Sequence, residues 1–240
     1  SSAGFVRREI GANIRMHSTP EVKFEFDDSI EYGNKIKKMI NDLDIKPIEN
    51  DDEDVEESIS GIENDDENAL RADGVTVSLA DCTITKTGSS SNTENGDFYG
   101  MNAALLAENG AQVTVTGGEV TTSATNGNGI FSYGSGTVVN VSGTKIRTAE
   151  KNSGGIQTTG GGKMNAEDLD VQTEGNSSAA IRSDRGGGTV NVDGGSYVTN
   201  GTGSPAVYST ADITVKNAVL TANSSEAVVV EGKNSVSLTD

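Results

Sequence analysis

Gly155-Ile-Gln-Thr-Thr-Gly-Gly-Gly-Lys-Met-Asn-Ala-Glu-Asp-Leu-Asp-Val171 is the stretch whose reading decides the fold. It opens on an apolar residue, Ile156, and passes through a glycine run. Met164 and Ala166 follow, one residue apart, so they share one side of a strand. Val171 comes five residues after Ala166. Outward from this stretch the pattern returns. The opening residue recurs as Leu70, Leu105, Ile130, Ile181, Val207 and Val228, and all seven are separated by 35, 25, 26, 25, 26 and 21 positions. The spaced pair recurs as Val77/Leu79, Val113/Val115, Val139/Val141, Val190/Val192, Ile213/Val215 and Val236/Leu238. The third apolar position recurs as Ile84, Val120, Ile146, Tyr197 and Leu220. Self-similarity at this period marks a stacked-repeat architecture.

Each repeat holds three short strands, and turn residues such as Gly117-Gly118, Ser142-Gly143 and Gly194-Gly195 lie between the second and third. The expected fold over 68–240 is mainly β: a parallel β-helix of about seven rungs, right-handed by the usual rule for parallel crossovers. The long first step contains an insertion, Ser89–Met101. The Thr residues at 114, 116, 121 and 122 are expected to face outward. Cys82, the single cysteine, is expected to be a small buried thiol on the side of Ile84. With no tryptophan and 4% aromatics, the composition suits a solenoid, which buries small and β-branched residues against the next coil.

Net charge is −18, unevenly spread. Residues 41–67 hold one lysine against thirteen acidic residues. The segment 44–67, with Glu49-Asn-Asp-Asp-Glu-Asp54 and Glu63-Asn-Asp-Asp-Glu67, reads as a solvated acidic linker that self-repulsion keeps extended. The sequence begins at Ser1 with no visible signal peptide, and because solenoid ends are usually capped, the protein is expected to continue beyond Asp240. No stretch reaches the length of a membrane span.

Residues 1–43 do not share the repeat. Gly4–Met16 reads as a helix with Val6, Ile10 and Ile14 on one face. Val22, Phe24 and Phe26 alternate with Lys23 and Glu25 as in a half-buried strand. Asp27-Asp28-Ser29 is suited to cap a following helix with Ile36, Met39, Ile40 and Leu43 on its apolar face. Ser2-Ala-Gly4, Val6-Arg-Arg-Glu-Ile-Gly11 and Pro20-Glu-Val-Lys-Phe-Glu-Phe-Asp-Asp-Ser-Ile-Glu-Tyr-Gly33 resemble the ribosome-binding factor A family. The resemblance covers residues 1 to about 45, the carboxy-terminal half of that family's fold. It implies part of a KH-like α+β domain that assists maturation of the small ribosomal subunit. By it, Gly4, Arg7, Arg8 and Arg15 would lie near RNA, where arginines mainly neutralise phosphates.

The repeat itself resembles secreted, adhesin-like right-handed β-helix proteins of bacteria. Asn102-Ala-Ala-Leu105, Ser178-Ala-Ala-Ile-Arg-Ser-Asp-Arg-Gly-Gly-Gly188 and Gly203-Ser-Pro-Ala-Val-Tyr208 carry that resemblance. It implies an extracellular or cell-surface place for the solenoid, against a cytoplasmic one for the first segment, and polysaccharide or a cell-surface component as partner. The whole reads as a fusion.

His17 is the lone histidine, so no His-based triad or His-rich metal site is available within the chain. No enzymatic activity and no cofactor are expected. A β-helix polysaccharide lyase or hydrolase is the alternative, and ribosome maturation the other. Arg182, Asp184 and Arg185 form the densest charged group on the rungs. They read either as a sugar-binding cluster or as a salt-linked turn before Gly186. Glu167, Asp168, Asp170 and Asp193 are the weaker case for a stacked calcium site.

Overall fold

The computed structural model describes residues 58–59 and 65–240. The helices and strand expected within 1–43, and with them Gly4, Arg7, Arg8, Arg15 and His17, lie outside the described residues, as do residues 44–57 of the acidic segment. What is described is a parallel β-solenoid: three seven-stranded parallel sheets and, among the described residues, one short helix.

The three expected strand types are the three sheets. Strands opening the first sheet begin at the seven expected residues, from Leu70–Asp73 to Val228–Val230. In this sheet Leu70, Leu105, Ile130, Ile156, Ile181, Val207 and Val228 stand in register. The second sheet runs from Thr76–Ala80 to Ser235–Thr239 and stacks every spaced pair, Met164 on Val139 and Val190 for example. The third stacks Ile84, Val120, Ile146, Val171, Tyr197 and Leu220. Period-2 alternation turns these residues inward, where all but Leu238 of the last strand belong to or pack against one continuous core along the solenoid. Each fully buried Val, Leu or Ile contributes about 1.5–3 kcal/mol. The third sheet starts earlier than expected. Ser58–Ile59, inside the segment read as linker, pairs with Thr83 and Ile84, because the exposed edge of Thr83–Lys86 offers unpaired backbone groups to a β-competent Ser-Ile pair.

Not all of the interior is apolar. Thr122 was expected outside but is 3% exposed, because it lies two residues after Val120 on the same face. It stacks with buried Thr148, Thr173 and Thr199 in successive rungs. The hydroxyls of Thr148, Thr173 and Thr199 donate to the carbonyls of Ser153, Ser178 and Ser204. Those serines are buried too, and their hydroxyls donate to carbonyls one rung earlier, at Ala124, Glu150 and Gly175. In return the Ser178 and Ser204 hydroxyls accept from the backbone N–H of Ser153 and Ser178, each at 2.9 Å. The corner joining the third sheet to the first is thus closed by a hydrogen-bonded ladder that satisfies the backbone as it turns. Lys86 fills the first place in the row, wholly buried, with its ammonium donating to the Gly88 carbonyl. Burial pulls its pKa down, against the raising effect of Asp65, Glu67 and Asp66.

The glycine turns sit where expected. Gly194 and Gly195 have φ of 76° and 90°, and a Cβ on either would stand 2.0 Å from Asp168 Oδ1 or 2.3 Å from the Leu169 carbonyl. Cys82 differs from its expected place. It precedes the strand Thr83–Lys86, is half-buried, and its thiol contacts the Ala80 carbonyl at 3.3 Å.

Candidate ligand-binding surfaces

Two outer faces of the solenoid carry ordered polar chemistry. The first is covered by the insertion. Within Ser89–Met101, Thr93–Tyr99 forms a helix, α1, capped by Asn92, whose Oδ1 accepts from Asn95 N at 3.0 Å, and ended by left-handed Gly100. Its sequence, Thr-Glu-Asn-Gly-Asp-Phe-Tyr, has weak helix propensity, so tertiary contacts must hold it. Gly96 sits so close to Asn126 that a Cβ would lie 2.9 Å away, and Gly100 presses on Leu106 and Phe131. Gln157 donates its amide to the Asp97 carbonyl at 2.5 Å, and Thr159 its hydroxyl to the Phe98 carbonyl at 2.7 Å. Tyr99 meets Tyr133 edge-on at 5.5 Å.

The charged cluster found in the sequence is the anchor of this helix. Arg182 donates to Asp184 at 2.7 Å and to Asp97 at 3.4 Å, with all three side chains between 12% and 16% exposed. Burial raises the Asp97 pKa, and the Arg182 guanidinium pulls it back. Arg185 pairs with Glu94 at 2.7 Å and lies over the Phe98 ring at 3.8 Å. Asp184 also accepts from the Arg185 backbone N–H. The salt-linked turn is therefore present, and it reaches a second element that the sequence did not pair with it. Beside it lies a cleft of about 220 Å³ lined by Arg182, Asp97, Pro205 and Tyr208. The Tyr208 hydroxyl donates to Glu231, and burial with that contact pushes its pKa up to about 12.

The second face is the exposed side of the second sheet. Asn140, Asn165 and Asn191 occupy one outward row in register, extended by Thr114 and Thr214. Asn165 donates its amide to Asn140 Oδ1 at 2.8 Å, and Asn191 donates to Asn165 Oδ1 at 3.0 Å. In the next row Ser142, Glu167, Asp193 and Lys216 stack in the same way. Together they line an open groove of about 450 Å³ that crosses five strands. The sequence marked these rungs as polar-faced but not the amide row, though asparagine recurring just ahead of Val141, Ala166 and Val192 was its signal.

Two of the four acids considered as a calcium site, Asp170 and Asp193, have other partners. Asp170 pairs with Arg147 at 2.5 Å and Asp193 accepts from Asn217 at 2.7 Å. Among the described residues no group of three His, Cys, Asp or Glu is placed to hold a metal, and no helix is long and apolar enough to cross a membrane.

The family model of ribosome-binding factor A matches residues 1–40. Over 40 residues the chain is 58% identical to ribosome-binding factor A of Staphylococcus carnosus (strain TM300) and 52% identical to that of Staphylococcus saprophyticus. Each match covers 17% of this chain and 35% of the relative. The protein of the same name from Staphylococcus epidermidis is 50% identical over 42 residues, 36% of its length. The chain thus spans about a third of the curated relatives it matches, all through residues ahead of the solenoid. No solved structure matches it. The molecule joins a segment similar to ribosome-binding factor A to a parallel β-solenoid.

Proposed function

We propose that the solenoid is a non-catalytic binding domain of adhesin type, working outside the cell, and that it holds polysaccharide on the exposed face of its second sheet. The amide row Asn140–Asn165–Asn191 supports this reading. Three identical side chains in register on an open, grooved face form a repeating surface, and a repeating surface suits a repeating ligand. Amides donate and accept hydrogen bonds without charge, as sugar hydroxyls require. The charged cluster at Arg182, Asp184 and Arg185 is taken as the seat of α1, since its guanidinium groups are already engaged by carboxylates and an aromatic ring. The full chain applied to an immobilised glycan panel should bind polysaccharide, and the Asn140→Ala/Asn165→Ala/Asn191→Ala variant should lose that binding. A blank panel with folded protein would overturn the reading.

A second reading rests on residues 1–40. Their similarity to ribosome-binding factor A favours association with the small ribosomal subunit, with Gly4, Arg7, Arg8 and Arg15 toward its RNA. Co-sedimentation of the full chain with purified small subunits tests it. Pelleting that Arg7→Glu/Arg8→Glu abolishes would support it, and no pelleting at low salt would remove it.

A further inference from the structure

On the polysaccharide reading, we infer that the groove takes an extended, uncharged glycan laid along the solenoid axis, one sugar unit per rung. The axial direction follows from the register. Thr114, Asn140, Asn165, Asn191 and Thr214 are Cα partners from strand to strand, so the row runs straight across the strands. Neighbouring rungs lie about 4.8 Å apart. A pyranose unit in an extended β-linked chain is close to that length. A chain along the axis therefore meets the same side chain at each unit, and one laid along a strand would not. The five strands that line the groove span roughly 19 Å, enough for about five units.

The chemistry of the rows sets the class. Along the ladder each of the Asn165 and Asn191 amide nitrogens spends one hydrogen on the amide before it. An amide nitrogen carries two, so each retains one for a ligand oxygen. The parallel row presents acceptors at Glu167 and Asp193, whose residues are Cα partners. Donors along one row and acceptors along the next fit a hydroxyl-bearing chain, because a hydroxyl both gives and accepts. Charge argues against uronate or sulfated polymers. Glu167, Asp193 and Asp212 outnumber Lys163 and Lys216 on this face, and residues 68–240 carry net −7. A polyanion would bring like charge against the stacked acids.

Titration calorimetry on the full chain tests this. The probes are β-1,4-linked gluco- and manno-oligosaccharides of increasing length, oligogalacturonate, and maltooligosaccharides, whose α-links curl the chain. Affinity for the β-linked series should climb to about five units and then level off. Oligogalacturonate and the curled series should bind more weakly. Asn165→Ala should weaken the best binder roughly tenfold, the loss expected for a hydrogen-bonding group. Gln172→Ala, on the third sheet, should change nothing. Thermal melts of both variants should match the parent, since both side chains face outward. Affinity independent of length, tighter binding of oligogalacturonate, or binding indifferent to Asn165→Ala would overturn the inference and leave the polysaccharide reading standing. Failure of every glycan would remove both.

Discussion

Asp97 and Arg182 meet at 3.4 Å across 85 positions of the chain, each side chain no more than 13% exposed. One stands on the inserted helix, the other on the outer face of the first sheet. A pair this buried does little for net stability, because desolvation offsets much of its attraction, yet breaking it leaves an unmatched charge. It fixes where α1 sits.

Arg182→Ala should therefore loosen α1. It strands the Asp97 carboxylate, and the expected cost is about 3 kcal/mol. Hydrogen exchange should quicken over Thr93–Tyr99, with the solenoid strands protected as before. Unchanged exchange in α1 would contradict the anchoring role.

Asp97→Asn should behave differently. Burial raises the Asp97 pKa above its ordinary value near 3.8. The folded protein thus holds this proton more tightly than the unfolded chain does. Its contribution to stability is fully present below the unfolded pKa and is lost as pH rises through the raised folded one. The asparagine variant should lack that decline. At neutral pH its denaturation midpoint should equal or exceed the parent's, and acidification should help the parent more than the variant.

Thr173→Val tests the polar ladder. The change keeps shape but removes the hydroxyl that donates to the Ser178 carbonyl at 2.6 Å, leaving that buried acceptor short of a partner. A loss of about 1–2 kcal/mol in chemical denaturation is expected. Ser178→Ala should cost more, since the Ser153 N–H also loses its acceptor. Neutral outcomes at both positions would show that the ladder is incidental.

Gly195→Ala should be among the most damaging single changes in the solenoid. Its φ of 90° and a Cβ placed 2.3 Å from the Leu169 carbonyl combine strain with a backbone clash. The expected cost exceeds about 2 kcal/mol. Gly203→Ala is the control, with positive φ but nothing within 4 Å of the added carbon.

Replacing Ser89–Met101 by a tight turn should uncover Leu106, Phe131 and Tyr133, which pack as a small apolar cluster outside the main core. Binding of a hydrophobic dye and self-association should follow. A soluble, dye-silent variant would mean that the cluster rearranges once α1 is gone.

Much of the solenoid was legible from Ile156, Met164, Ala166 and Val171 and their repeats. Alternation dictates which residues share a side, and the 25- to 26-residue step dictates which stack. Glycine pairs such as Gly194-Gly195 marked corners because an L side chain is strained there. Polarity alone puts Thr122 outside, whereas the alternation that links it to Val120 turns it inward. Cys82 precedes its strand, and alternation says nothing about a turn. Ser58–Ile59 was hidden by the acidic composition around it.

By itself the sequence determined the three-strand rung, its register and its inward apolar residues, because these follow from local spacing and from the need to bury apolar surface. It also carried the likeness of residues 1–40 to ribosome-binding factor A. Only the tertiary structure decided that threonines and serines line one interior corner, since their value depends on carbonyls supplied by the neighbouring rung. It alone decided that a weak helical sequence folds as α1, and that Arg182 answers Asp97. A buried charge is tolerated only beside its partner, and no local pattern brings together two residues that far apart in the chain.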